Sequence, residues 1–306
     1  MRRIDLHTHT LHSDGTASVA QVLEMAQQLG LNALAISDHN AVDGYRQLAG
    51  CRHLFSGKII PAVELTTAFQ GEVVEVLGYG IDTDQMAEYV SVTYPDNNTR
   101  RIQEAGLITR ALLDKGVRLG EKLVQILCTD PERIDPGFHH IGCRPFLLEE
   151  MRKFPENALF FKNESEFSQI NATYFARNYL LNPRSALYVD TTVLFPPMAQ
   201  VIERIHGAGG LAFLAHPFIY SPAIVACLEH LIAAYELDGL ECHYGTFTPE
   251  QKQFMTDFCD KHGLYKSGGS DFHGLDARPN NPMGRSAGVP IPETLIEPWL
   301  GKVTTI

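Results

Sequence analysis

The chain has no CxxC pair. Its six cysteines, Cys51, Cys128, Cys143, Cys227, Cys242 and Cys259, are scattered along 306 residues and read as reduced, mostly buried thiols of a cytoplasmic protein. The opening MRRIDLHTH lacks an apolar h-region, so no signal peptide is expected. No apolar run approaches the ~18–20 residues of a membrane span. Positive charge is also scarce: the formal net charge is −11 with neutral histidine. Such a chain is a poor constitutive binder of DNA or acidic membrane. It can still take a phosphate where the site brings its own positive charge, and two or three divalent ions would add about +4 to +6 locally. P-loop, Rossmann fingerprint and nucleophile elbow are all missing, and there are no internal repeats, low-complexity tracts or long linkers.

What is present is a series of short apolar runs, each followed by polar chemistry. "RIDL" runs into His7, "ALAIS" into Asp38 and His39, and "IIPAV" into Glu64. "VVEVLGYG" carries Glu75 within it, "LAFLA" runs into His216, "DGLE" leads to His243, and "YKSGGS" leads to Asp271 and His273. These read as seven strands. Helical patterns separate several of them. Ser18–Gly30 opens with Ser18 and Gln21 in a capping-box pattern, places Val19, Val22, Leu23 and Ala26 on one face, and stops at Gly30. Pro197–Gly207 is a second, and Thr248–Gly263 a third, with Thr248 as N-cap, Pro249 at N1 and Gln251 at N3. This alternation, with reactive residues at strand ends, is the layout of a β/α barrel; seven strands make it a distorted one. Residues 83–187 break the pattern with helix-like segments around Thr99–Leu113, Arg144–Lys153 and Glu164–Leu181, and read as a helical insertion close enough to the barrel mouth to act as a lid. The expected division is therefore a barrel domain of residues 1–82 and 188–306 and an insertion of 83–187.

The opening motif "DLHTHTLHSDG" holds His7 and His9 at i, i+2, which puts both imidazoles on one strand face. As neutral ligands they suit one transition-metal ion. Asp38–His39, Glu64, His216, and the DxH of Asp271 and His273 follow later strands, and a barrel gathers those ends on one rim. A carboxylate such as Glu64 can bridge two cations, and paired cations lower the pKa of a bridging water, supply hydroxide at neutral pH and clamp an anionic substrate. Asp271 could orient that water or take its proton. Imidazole-rich ligation favours Mn, Fe or Zn over Mg. Weaker candidates for phosphate contact are His12, Arg144, Arg184 and Arg285. His139 and His140 sit in a turn, where histidines are usually idle, and Asp5 reads as structural.

These stretches, with "ISDHN", "PAVELT", "VLGYGID", "IHGAGGLAFLAHP", "DGLECHY" and "GGSDFHG", resemble the polymerase and histidinol phosphatase (PHP) domain family over about residues 1–82 and 188–285. The resemblance implies a distorted seven-stranded barrel with two or three divalent metal ions. It implies that His7, His9, Glu64 and Asp271 hold one ion, that Asp14, His39 and His273 surround another, and that Glu64 bridges to a further ion held with His216 and position 75. The family pattern "VHVLG" becomes Glu75 here, and its "RPH" becomes Arg144, Pro145 and Phe146 in "CRPF".

The reaction so implied is hydrolysis of small phosphate monoesters, nucleotides or 3′,5′-bisphosphates among them, with His216 or His243 as acid for the leaving alcohol and Arg144 on the phosphate. A histidinol phosphatase or a 5′ exonuclease on short RNA belongs to the same reading, with no stable nucleic-acid complex expected. Two readings of other classes compete. An amidohydrolase-like hydrolase of amides or lactones lacks a lysine near strand four for a carbamylated bridge. A degenerate binding module sits poorly with nearly all ligand positions being intact.

Overall fold

The computed structural model describes residues 2–129, 143–274 and 276–306. By contacts the chain forms two compact units, Met1–Thr93 with Pro196–Ile306, and Tyr94–Phe195. No helix among the described residues is long and apolar enough to cross a membrane.

The first unit is mixed α/β. Strands β1 (Ile4–Thr8), β2 (Ala33–Ile36) and β3 (Lys58–Ile59) form a parallel sheet in that order. A second sheet has the order β4 (Ala62–Phe69), β5 (Glu72–Tyr79), β6 (Leu211–Leu214), β7 (Gly239–Tyr244) and β8 (Tyr265–Gly269). Here β4, β5 and β6 pair antiparallel, and β6, β7 and β8 parallel. A short ribbon, β9 (Arg285–Ser286) and β10 (Val289–Pro290), follows.

The expected distorted seven-stranded β/α barrel is therefore borne out only as a mixed α/β fold: among the described residues the hydrogen bonds close no sheet into a barrel. Two sheets meet through isolated bridges, Thr8 with Phe272 and His39 with Glu64. The physical reason lies at Gln70–Gly71. Both residues have positive φ, 47° and 81°, as a two-residue type I′ hairpin turn requires. The turn folds β5 back on β4, where sequence alternation alone implied a parallel neighbour.

Local signals hold elsewhere. Helix Val19–Gln28 starts at Ser18, which makes a full capping box with Gln21. Helix Pro249–His262 has the same box from Thr248 and Gln251 and ends on Gly263 in the left-handed conformation. Strand β2 is buried on both faces: Leu34 and Ile36 pack with Val19, Val22 and Leu23, while Ala33 and Ala35 join a cluster of Ile4, Leu6, Tyr79, Phe213 and Trp299. At Gly269 an added Cβ would lie 2.1 Å from the His7 Cβ, so only glycine lets β8 back directly onto β1.

The second unit has its own core, in which Ile108, Leu112, Leu147, Met151, Phe167 and Phe175 pack together. Its helices include Asn97–Asp114, Cys143–Arg152 and Glu164–Gln169. The expected continuous helix Glu164–Leu181 is broken because Asn171 caps a new one, its Oδ1 accepting from the Tyr174 N–H at 2.8 Å. Phe146, at the position where the family pattern has histidine, packs against this core.

Trp299 is fully buried, stacks on Tyr79 at 5.5 Å and donates from Nε1 to the Lys266 carbonyl at 2.9 Å. Trp299→Ala is expected to lower unfolding stability by about 3–5 kcal/mol in urea titration. A loss under about 1 kcal/mol would show that this cluster does not hold the first unit together.

Candidate metal centre

Strand β1 aims His7 and His9 to one side, and both are fully buried. Opposite them stands Glu64, also fully buried, on β4. Its Oε2 lies 3.2 Å from His7 Nε2, 3.3 Å from His9 Nε2 and 3.0 Å from His39 Nδ1; its Oε1 lies 3.0 Å from His216 Nε2. Glu75 arrives by cross-strand pairing. It sits opposite Thr66, diagonal to Glu64 on the same face, and reaches His39 Nδ1 at 3.2 Å and His216 Nε2 at 3.3 Å. Asp271 Oδ1 is 3.1 Å from His9 Nε2 and 3.5 Å from His7 Nε2. Asp14, 53% exposed, closes the outer side at 3.0 Å from His273 Nε2 and 3.8 Å from both His9 Nδ1 and His39 Nε2. The nine ligand candidates are thus brought together in four overlapping groups: His9, Asp14, His39 and His273; His7, Glu64 and His216; His7, His9 and Asp271; His39, Glu64 and Glu75.

The groups fit divalent ions on a geometric test. His7 Nε2, His9 Nε2, Glu64 Oε2, His216 Nδ1 and His273 Nε2 are buried without a hydrogen-bond partner among the described residues. His7 Nε2 and His9 Nε2 stand 3.2 and 3.3 Å from Glu64 Oε2 yet lack hydrogen-bond alignment. Ligand atoms about 2.1 Å from a shared ion stand about 3.3 Å apart at a tetrahedral angle. Side chains that aim at a common third atom look like this; side chains that aim at each other do not. Backbone strain marks the same places. His216 and Asp271 have φ of 28° and 56°, a conformation costing of order 1–3 kcal/mol outside glycine.

Several supports were silent in the sequence. Glu241, fully buried on β7, accepts from His7 Nδ1 at 3.0 Å through Oε1 and from the His216 N–H at 2.8 Å through Oε2. It fixes the His7 tautomer so that Nε2 faces the cluster. A charged residue inside the apolar run "GLEC" is the signal that could have found it. Tyr244 donates to Asp271 Oδ2 at 2.7 Å. Asp5 takes the structural role expected, with partners now visible: it accepts from Ser270 N–H at 2.9 Å, Ser270 Oγ at 2.5 Å and Gly284 N–H at 2.6 Å. Asp38 accepts from Thr10 N–H at 2.7 Å and Ser13 Oγ at 2.6 Å, which ties down the loop after His9 and separates it from its neighbour His39 in role.

One expectation is corrected. His243, expected as a catalytic acid, is turned away by a β-bulge between Glu241 and His243. The bulge sends Tyr244 to the cluster and leaves His243 beside Gly268, where burial and the charges of Lys252 and Lys266 bring its pKa down to about 4. Arg285, expected to touch substrate, is exposed on the β9–β10 ribbon and donates to the Gly288 carbonyl at 2.6 Å. Arg144 and Arg184 belong to the second unit; Arg144 donates to Glu104 Oε1 from Nε at 3.0 Å and Nη2 at 2.8 Å, and Arg184 is exposed. His12 is half-buried, its N–H donating to Thr10 Oγ1 at 3.2 Å. His139 and His140 lie outside the described residues.

Residues 5–133 match the family model described as PHP domain. Over that stretch the chain is similar to the PHP domain family. It is 27% identical over 276 residues to the 5'-3' exoribonuclease of Haemophilus influenzae, covering 89% of this chain and 90% of that protein. It is 26% identical over 277 residues to the 3',5'-nucleoside bisphosphate phosphatase of Chromobacterium violaceum, covering 89% and 88%. A solved structure from Bifidobacterium adolescentis, assigned as a metal-dependent phosphoesterase, shares the fold with a TM-score of 0.62 at 22% identity over 99% of this chain and 97% of that one. The cluster of histidines and carboxylates is suited to divalent metal ions.

The electrostatics of the cluster couple metal to protons. Burial opposes charge on His7, but Glu64, Glu241 and Asp271 outweigh it and hold its pKa well above the ordinary imidazole range. His39 is raised likewise by Glu64 and Glu75. His216, held by the same two carboxylates against burial, is pushed up to about 10. His9 goes down to about 4, through burial and the charge on His39. Burial and Glu64 push Glu75 up, yet His39 and His216 bring it to about 2. At neutral pH the raised imidazoles therefore hold protons that ligation must expel. Mn²⁺ titrated into metal-stripped protein at pH 7 is expected to release at least one proton per chain, and its apparent affinity to rise with pH toward about 10, the region set by His216. Calorimetry in buffers of different ionisation enthalpy measures this; uptake without proton release would contradict the assignment of His7, His39 and His216.

Proposed function

We propose that the protein is a divalent-metal-dependent phosphoesterase that hydrolyses small phosphate monoesters, with nucleotides and 3′,5′-bisphosphates as the substrate class. The observation that carries this reading is Glu64, fully buried among four imidazole nitrogens and shared between two of the candidate ligand groups. The relatives named for 5'-3' exoribonuclease and 3',5'-nucleoside bisphosphate phosphatase activity support a nucleotide phosphate. Four carboxylates, Asp14, Glu64, Glu75 and Asp271, stand in the cluster, and two or three divalent ions, Mn, Fe or Zn, balance their charge. The sequence of β5 and its turn, "QGEVVEVLGYG", offers no lysine for a carbamylated bridge of the amidohydrolase kind. A cytoplasmic setting is part of the reading, supported by the free thiols of Cys51, Cys227, Cys242 and Cys259.

His7, His9, Glu64 and Asp271 would hold one ion, Asp14, His39 and His273 another, and Glu64 with His216 and Glu75 the position between strands. When bound, such ions polarise a phosphoryl oxygen and make water a competent nucleophile at neutral pH. The protein's own groups do the rest. Asp271 Oδ2 is fixed by Tyr244, which leaves Oδ1 on the imidazole side to accept a proton from the attacking water. The new P–O bond forms as the ester P–O bond breaks, and the alcohol leaves with a proton. With His243 turned away by its bulge, His216 is the remaining candidate for that proton wherever it is not itself a ligand. Arg144, Arg184, Arg285 and His12 are the proposed substrate contacts retained from the sequence.

Phosphate release from AMP, 3′,5′-bisphosphoadenosine, histidinol phosphate, p-nitrophenyl phosphate and short RNA, with Mn or Zn added, tests this. Activity on at least one of them is expected, and Asp271→Asn and His39→Ala should each lower it by at least about 100-fold with unchanged circular dichroism. Full activity in either variant would overturn the site, and hydrolysis of a lactone or hydantoin in place of every phosphate ester would overturn the reaction class.

A further inference from the structure

The Asp271 carboxylate is held from two sides. Oδ1 faces His9 Nε2 at 3.1 Å, while Oδ2 accepts from the Tyr244 hydroxyl at 2.7 Å and from Nη1 of Arg278. Arg278 was not among the residues the sequence singled out. It sits on the loop that leads away from the DxH motif, its N–H donating to the Gly274 carbonyl at 3.0 Å and its carbonyl accepting from the Asn281 N–H at 3.1 Å. The backbone is thereby fixed where the side chain turns back to the cluster. That side chain is 40% exposed, and among the described residues Nε and Nη2 have no acceptor. A guanidinium thus stands one carboxylate away from the imidazole cluster with donors open to solvent.

We propose that Arg278 is a phosphate-binding residue: with Nη1 on Asp271, its remaining donors take a non-bridging oxygen of the substrate's phosphoryl group. The inference rests on the phosphoesterase reading and adds the residue that recognises the anion. Three features favour it over a purely structural pair. The side chain is half-exposed, so its remaining donors are open to an anion arriving from solvent. Tyr244 already satisfies the same carboxylate oxygen, so the arginine is not needed to fill it. The planar fork of an arginine offers the paired donors that phosphate oxygens accept, which the surrounding imidazoles, turned toward the ligand cluster, do not. Arg144, the arginine favoured from sequence, spends two donors on Glu104.

The experiment uses the full Mn-loaded chain with Arg278→Gln and Arg278→Lys. Metal content is measured by mass spectrometry, inorganic phosphate affinity by calorimetry, and KM and kcat on whichever monophosphate the wild type hydrolyses. The expected result for Arg278→Gln is Mn content like the wild type, with phosphate Kd and KM each raised by about tenfold or more, as loss of a charge-assisted contact implies. Arg278→Lys should recover part of the phosphate affinity, since it keeps the charge without the fork. Wild-type phosphate Kd in Arg278→Gln would overturn the inference. So would loss of Mn with unchanged phosphate affinity in the loaded fraction, which would make Arg278 a positioning residue for Asp271. If the wild type binds phosphate through Arg278 but cleaves no phosphate ester, the inference stands and the phosphoesterase reading falls.

Discussion

A carboxylate with no water contact, surrounded by the nitrogens of His7, His9, His39 and His216, is the constraint around which the first unit is organised. Glu64 cannot remain charged in that position without compensating cations, because a buried, unpaired carboxylate is far more costly than folding can offset. Protons on the imidazoles can meet this requirement, and divalent ions held by the same groups would meet it equally. The hydrogen-bonding around the cluster follows from the same need. Glu241 sets the His7 ring, Tyr244 and Arg278 set Asp271, and Asp5 ties β1 to the loop that carries Asp271. Each of these contacts orients a group that points at the shared centre.

The backbone shows the consequence. His216 and Asp271 both occupy left-handed conformations, each two residues beyond the end of a strand, where the chain must turn sharply while keeping its side chain aimed inward. Strained non-glycine residues at two ligand positions mean that the surrounding packing over-determines them. Glycine does the complementary work at Gly269, whose missing Cβ lets β8 lie against His7. Packing, strain and electrostatics therefore converge on one small volume, while the second unit carries an independent apolar core.

Much of this was legible in the chain itself, for local reasons. His7 and His9 share a face because strand periodicity requires it, and the two capping boxes announce their helices within four residues. The motif order gave the PHP resemblance. What sequence could not supply was register. A hairpin at Gln70–Gly71 decides that Glu75 lies diagonal to Glu64, and a single bulge after Glu241 exchanges His243 for Tyr244 at the cluster. One extra residue in a ladder reverses which side chains face inward, and nothing in the composition of "GLECHY" encodes it. Glu241 and Arg278 were overlooked for a related reason: each acts through a partner more than twenty or only seven residues away, and one-dimensional spacing does not separate such a pair from chance.

The most direct measurement is anomalous diffraction from crystals of the Mn-loaded protein. Anomalous peaks are expected inside the ring of His7, His9, His39, Glu64, His216, Asp271 and His273, with Glu64 bound to at least one of them. Well-ordered Mn found only elsewhere on the chain, with this ring left as imidazolium–carboxylate pairs, would contradict the account.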